Sequence, residues 1–488
     1  MRCFPIRHIP FSRSFAFMAA LLMSCFSINS FSQDPVFRAG ASTTNITPPL
    51  GTGIVGNFGN PPPAAHIHDE LQARCLVMDN SKTKLVFVIA DNVGISRQVF
   101  DYAKTLITKE TNIPADHIVM SANHTHSAVS AYGDFEEREP GKEKPLDAYQ
   151  LFLARRMADG VRIAINNLSP AKIAWGAGRV PQHLFNRRWI MKEKVLNPFG
   201  EMDAVQFNPG VNNANKKEPA GKTDPEVSMI SVQSLTGNPI ALLANYSLHY
   251  VGGVPKNDIS ADYYGVFADR VQELLRADRQ SPPFVAMMCN GTSGDVNNIN
   301  FAGPAENNEP YAKMKIVAND VANEVVRVYQ SLQYKSWVLL QAAQSELKLA
   351  VRKPTPQMLE RAKKILARPD SVKPQHPLEK TYADRLVKMQ ELWPDEITAP
   401  IQVFKIGEQG IAAIPFEVFT EIGLEIKAKS PGKSTFSIGL ANGYYGYLPT
   451  PEQHVLGGYE TWPGTNRVEK NASRKIVTEV LTLFNKVK

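Results

Sequence analysis

Leu85-Val-Phe-Val-Ile-Ala90 is an apolar run without alternation, and it restricts the folds open to this chain more than any other stretch. A strand with one face in water alternates apolar with polar residues, whereas an unbroken apolar strand is covered on both faces. Ile118 to Met120, Ile240 to Tyr246 and Phe284 to Met288 read the same way, and Leu71 to Met78 is a further strand. Helical periodicity over 95–109, 146–167, 309–333 and 472–486 alternates with these runs. The order strand, strand, helix, strand predicts a layered, mixed α/β (α+β) core. Gln402 to Ile406 and Ile411 to Ile414 pair across Gly407-Glu-Gln-Gly410. Residues 33–60 are dense in proline and glycine and predict an irregular segment, as do the turn-rich surroundings of Asn186 to Trp189 and the polar stretch 208–224. Residues 353–395, charged and helical with proline punctuation, predict a peripheral insertion, and no internal repeat, heptad or low-complexity tract is visible.

The first 32 residues are of another kind. Arg2, Arg7 and Arg13 precede an apolar segment from Phe15 to Phe26, with small residues at Ser30 and Ser32. That is the order of a secretory signal, and the apolar segment is short for a membrane span. The reading is cleavage after Ser32, a secreted or periplasmic protein without a transmembrane segment, and one large domain over 33–488. Leu22-Met-Ser-Cys25 loosely resembles a lipoprotein box, so lipid anchoring at Cys25 is the alternative. Removing three arginines and no acids takes the formal charge from +7 to +4 (7 − 3). No block of Lys and Arg interleaved with aromatics remains, which speaks against a nucleic-acid partner. After cleavage only Cys75 and Cys289 are left, too few for a cysteine-based zinc site, with pairing and buried free thiols both open.

Where Ile118 to Met120 ends, the chain delivers His124 and His126 at i and i+2, which on a strand would face one cavity. One imidazole can bind a metal while its neighbour moves protons. The pattern is not specific alone, since His66 and His68 repeat it. Other strand ends carry Ser247-Leu-His249 and the Gly-rich Cys289-Asn-Gly-Thr-Ser-Gly-Asp295, the kind of turn at which α/β proteins present ligand-binding groups. Pro415-Phe-Glu417-Val reads as a helix opening, followed by Tyr-rich and Gly-rich turns at Tyr447 and Tyr459. Asp91, Asp262 and Asp295 read equally as supports of a site or as local caps. Spacing alone does not show that these residues converge.

In their order along the chain, these segments resemble the catalytic domain of the neutral/alkaline non-lysosomal ceramidase family. The matching pieces are Ala41-Ser-Thr-Thr-Asn-Ile-Thr-Pro-Pro-Leu-Gly51, His68-Asp69, Asn123-His-Thr-His-Ser127, Asn186-Arg187, Asp224-Pro-Glu-Val, the strand end at His249, Ile259-Ser-Ala-Asp262-Tyr, Gly294-Asp295-Val, Pro415-Phe-Glu417 and Tyr447-Leu-Pro-Thr-Pro-Glu. The resemblance implies Zn2+ held by His124, His249, Glu417 and Tyr447. It implies His126 as the proton-transfer residue, with Arg187 and Tyr459 at the substrate carbonyl; whether Arg187 or Arg188 faces the site stays open. The implied reaction is attack of a zinc-activated water on the N-acyl amide of a sphingolipid. Three departures stand beside it. Asn297 occupies the place of a serine to which the family assigns a direct catalytic part, and an asparagine hydrogen-bonds but is no nucleophile. Glu417 follows Pro-Phe where the family has Pro-Gly, and no C-terminal immunoglobulin-like domain is expected. The substrate is therefore expected to be a lipid or, alternatively, a polar glycan handled by the same zinc site as a deacetylase, esterase or uronic-acid polysaccharide lyase. A non-catalytic binding protein on this scaffold is the third reading.

Overall fold

The computed structural model describes residues 36–56, 59–131, 144–432 and 434–487, with Met1, Phe4 and Pro5. Apart from those three residues, the expected signal segment and Cys25 lie outside the described residues. Eight strands form the principal sheet: β1 (Arg38–Asn45), β2 (Gln72–Asp79), β3 (Lys84–Ala90), β4 (Ile118–Ala122), β5 (Ser169–Arg179), β6 (Glu226–Ser234), β7 (Pro239–Tyr246) and β8 (Val285–Asn290). Their spatial order is β8-β7-β6-β5-β1-β2-β3-β4.

The sheet has two halves with one plan, a repeat that the sequence does not display. In the first, β1 precedes the antiparallel hairpin β2–β3, helix α1 (Arg97–Thr111), β4 parallel to β3, and helix α2 (Ala148–Asn166). In the second, β5 precedes the antiparallel hairpin β6–β7, helix α3 (Asp262–Leu274), β8 parallel to β7, and helix α4 (Ala312–Tyr329). The halves join where Arg38 and Ala39 pair with Pro170 and Ser169. Backbone hydrogen bonding sets this topology and accepts many side-chain sequences, so the repeat survives without sequence identity. The two outer strands meet at their ends, where Asn290 Nδ2 donates to Asn123 O at 3.2 Å.

The unalternating run of β3 is buried on both faces, as expected. Val86, Val88 and Ala90 pack under α1 and α2, while Leu85, Phe87 and Ile89 join a core shared by both half-sheets and a second sheet. That sheet runs β9 (Leu340–Ala350), β10 (Glu396–Ile406), β11 (Gln409–Ala413) and, after the short β12 (Glu417–Val418), β13 (Ser434–Ile438). The Phe87 ring meets Phe404 of β10 edge-on at 5.3 Å. Between β9 and β10 lie α5 (Pro356–Leu366) and α6 (Glu379–Leu392), with a small core of Ala362, Ile365, Ala383 and Leu386. Helix α7 (Thr420–Lys429) contributes Ile422 and Ile426 to the core on the far side of the second sheet. After β14 (Tyr447–Leu448), which pairs with β12, and α8 (Pro451–Leu456), the last helix α9 (Ala472–Lys486) adds Ile476 and Val480 there.

β1 forms where an irregular segment was expected. Helix α2 rides so close that a Cβ on Gly40 would sit 2.2 Å from Ala164 O, and one on Gly160 would sit 2.6 Å from Cys75 Sγ. No side chain fits at Gly40, and with alanines on either side the first half of the strand lacks the bulky β-branched signature by which strands are recognised. Arg188–Leu196, Met202–Phe207 and Lys216–Pro219 form a three-stranded sheet where turns and loop were expected. Lys192, Glu193 and Lys194 are exposed there, so no buried face marks the strand in sequence. Cys75 and Cys289 are free and buried, Cys75 under the helices and Cys289 between the sheets. Among the described residues no helix is long and apolar enough to cross a membrane.

Candidate metal centre and active site

β4 stops at Ala122, so His124 and His126 are not brought together by strand pleating. His124 lies beyond the strand with φ of +74°, in the left-handed region, which costs a residue bearing Cβ about 1–2 kcal/mol. Its amide donates to Asn92 O at 3.0 Å. The turn sets the His124 and His126 rings at 88° to each other, with their Nε2 atoms 3.1 Å apart. Each ring of the cluster meets a backbone carbonyl through Nδ1: His124 with Val93 O (2.5 Å), His126 with Gly56 O (2.7 Å) and His249 with Ser293 O (3.1 Å). A carbonyl can only accept, so each Nδ1 donates outward and each Nε2 is turned into the cluster.

These three imidazoles form a group that could hold a metal ion, their ligand atoms all within 4.8 Å of one another. Glu417 Oε2 lies 3.2 Å from His124 Nε2 and 3.7 Å from His249 Nε2. Glu417 Oε2 and His249 Nε2 are buried without a hydrogen bond, a costly state unless a cation meets them. Burial, and then His124, holds the His126 pKa well below 6.5, and burial, and then Arg187, does so for His249. Burial works to raise Glu417, but His124, Tyr447 and Arg187 outweigh it and bring the carboxyl down to about 2. Imidazole nitrogens beside an ionised carboxylate are a donor set that a divalent metal takes, so the residues present fit one.

Glu417 does not open a helix, as the sequence suggested. It lies on β12 in parallel register with Tyr447 of β14, and the hydrogen bonds of that bridge set the two side by side. Tyr444 Oη donates to Glu417 Oε1 at 2.8 Å, which leaves Oε2 to the imidazoles. Arg187 faces this group: its Nη2 donates to Tyr447 Oη (3.0 Å) and Gly294 O (2.9 Å), and its Nε to Glu460 Oε1 (3.0 Å). Arg188 turns the other way, to Glu460 Oε2 (2.7 Å) and Gly457 O (2.7 Å). Burial pushes the Tyr447 phenol well above 10, against the pull of Arg187. Tyr459 stacks on Phe207 at 4.5 Å and stands edge-on to Tyr447 at 5.8 Å.

Residues 37–324 match the family described as neutral/alkaline non-lysosomal ceramidase, N-terminal. The chain belongs to that family. Two solved structures are similar over 93% of this chain and 75% of their own, each at 17% identity: a ceramidase complexed with C2 (TM-score 0.67) and the neutral ceramidase from Pseudomonas aeruginosa (TM-score 0.65). At that identity the likeness is one of fold, the same mixed α/β architecture. Family membership makes this chain a ceramidase-type hydrolase.

In this ceramidase-family chain the sequence-nominated residues do not all meet. His124, His126, His249 and Glu417 converge, with Tyr447, Arg187 and Tyr459 bordering them. Asn297 stands apart: its Nδ2 donates to Asn208 Oδ1 (2.8 Å) and its Oδ1 accepts from Ile299 N (2.9 Å), so both ends of the amide hold local structure. The three open carboxylates prove to be supports. Asp91 takes Arg74 (2.7 Å) and Asn123 Nδ2 (2.6 Å), while Ser96 caps α1 in its stead. Asp262 accepts from Gly252 N (2.8 Å) in the turn after His249, and Asp295 ties Asn186 Nδ2 (2.8 Å) to Thr420 N (2.9 Å). His66 and His68 pair with Asp258 and Asp69 away from the cluster. Sequence reasoning missed Tyr444, Glu460 and Tyr250, which stacks on His126 at 3.8 Å. The one available signal for Glu460 was a lone acid among the apolar and glycine residues of Gly457-Gly-Tyr-Glu-Thr-Trp462.

Proposed function

We propose that this chain is an exported, zinc-dependent amidohydrolase that cleaves the N-acyl bond of a ceramide-like lipid. The observation that carries the proposal is the gathering of the His124, His126 and His249 ligand atoms within 4.8 Å of one another, with Glu417 Oε2 beside those of His124 and His249. Export is supported by the arginine-then-apolar order of residues 1–32. His124, His249 and Glu417, with Tyr447 as the fourth, would hold the ion. Zinc, when bound, polarises a carbonyl and lowers the pKa of a water to about 7.

The protein groups then have separate tasks. Arg187, held on Nε and Nη2, keeps Nη1 out of those bonds and offers it to the charge that grows on the substrate carbonyl oxygen. His126 is the partly exposed member of the histidine group. Neutral at Nε2, it accepts a proton from the attacking water and passes it to the nitrogen as the C–N bond breaks. Tyr459 borders the same volume as a neutral phenol, its pKa raised by burial. With Asn297 in a structural pair, no side chain at that position forms an acyl intermediate, and water attacks directly.

The test is metal analysis of the mature protein and a His124→Ala variant, with turnover of a fluorescent ceramide and of a panel of acidic and N-acetylated polysaccharides. About one zinc per chain, lost in the variant, together with ceramide cleavage is the expected result. Zinc with a glycan product and no ceramide cleavage would transfer the site to a polar substrate; absence of bound metal would overturn the assignment.

A further inference from the structure

We propose that Glu460 is a positioning residue for this reaction: it aims Arg187 into the site and acts through that guanidinium, not on the substrate. The turnover part of this inference rests on the amidohydrolase reading; its geometric part does not. Arg187, Arg188 and Glu460 are 4%, 0% and 0% exposed, so three charges share a dry interior. Two adjacent guanidiniums there would repel, and an unpaired buried charge is strongly destabilising. Glu460 lies between them, Oε1 accepting from Arg187 Nε (3.0 Å) and Oε2 from Arg188 Nη1 (2.7 Å).

The two arginines are not equivalent. Arg188 is an anchor, donating also to Gln453 Oε1 (3.2 Å) and Gly457 O (2.7 Å), so it pins the far oxygen of Glu460. Arg187 is gripped on Nε by the near oxygen, and on Nη2 by Gly294 O (2.9 Å) and Tyr447 Oη (3.0 Å). A guanidinium has five N–H donors in one rigid plane. With three committed on fixed acceptors the plane has one orientation, and the pair on Nη1 is presented the same way each time. Glu460 also shares the short turn Tyr459–Thr461 with Tyr459, so the ion pair ties that phenol to Arg187 across 273 positions of sequence.

Glu460→Gln keeps the shape but leaves one amide oxygen for two guanidiniums. The expected result is a fall in kcat of about 100-fold with KM within about threefold, because the charge on the carbonyl oxygen grows only in the transition state. In an Arg187→Ala background the same substitution should cost less than about threefold; equal costs in both backgrounds would overturn the inference. Should Glu460→Gln fail to fold, the charge-balanced Glu460→Gln/Arg188→Met variant takes its place, and full turnover there would be equally fatal. A second readout needs no substrate. The Arg187 Nε–H resonance, assigned by its loss in Arg187→Lys, should shift in Glu460→Gln and exchange with water at least about ten times faster. An unchanged resonance overturns the inference whatever the enzyme cleaves, while a shifted one with no N-acyl turnover in the wild type leaves Glu460 in place and removes only the amidohydrolase reading.

Discussion

Asp295 sets two opposed effects against each other, and one substitution tells which wins. Its carboxylate has no exposed surface and accepts from Thr420 N (2.9 Å), Thr420 Oγ1 (2.9 Å) and Asn186 Nδ2 (2.8 Å). Burial raises its pKa and these donors lower it; burial wins, and the group rises from 3.8 to about 6. That difference, 6 − 3.8, or about two units, corresponds to about 3 kcal/mol at 1.36 kcal/mol per unit. Because the folded pKa exceeds the unfolded one, the contribution is fully present below about pH 3.8 and is lost as pH rises through about 6. Asp295→Asn removes the titration. It also leaves an NH2 where an acceptor stood, a constant loss of about 1 kcal/mol at every pH. Chemical denaturation of both proteins between about pH 3 and pH 8 reads the difference. Wild-type stability minus that of the variant should fall by about 3 kcal/mol across that range. A difference that rises with pH would mean that the three donors hold the anion, and a flat one that the two effects cancel; either result refutes the argument.

Replacing His249 by alanine removes one of the three facing Nε2 atoms and should weaken zinc binding by more than about 100-fold, read by competition with a chromogenic chelator. Phe87→Ala opens a void at the edge-on contact with Phe404 and should cost about 3–5 kcal/mol in urea unfolding. Burial pushes the Cys75 and Cys289 thiols up to about 12, so a thiol reagent at neutral pH should label neither in the folded protein and both after denaturation. Rapid labelling before unfolding would contradict the burial of both strands.

Much of this protein is legible in its residues. Leu85 to Ala90 announces a strand covered on both faces because no polar side chain interrupts it, and the structure covers it with helices on one side and a second sheet on the other. His124, His249 and Glu417 are nominated by the family resemblance that the ordered motifs carry. The polar Arg38–Asn45 strand is not legible, because its small residues answer to a helix more than 100 positions away, whose Gly160 and Ala164 press against β1 and β2. The duplicated half-sheets are not legible either, being written in backbone hydrogen bonds that many sequences satisfy. The same reason separates the site into what sequence nominates and what folding decides. A histidine pair can be read from the chain, but its convergence depends on a left-handed turn at His124 and on the two carbonyls that hold the rings at Nδ1. Glu417 changes from helix opener to strand residue because Tyr447 offers it a bridge. Arg187 rather than Arg188 reaches the histidine group because Gln453 and Gly457 claim the other guanidinium. Residue type follows from the chemistry and is written locally; which polar atom is left unpaired, and facing what, depends on partners hundreds of residues apart, and only tertiary structure brings those together.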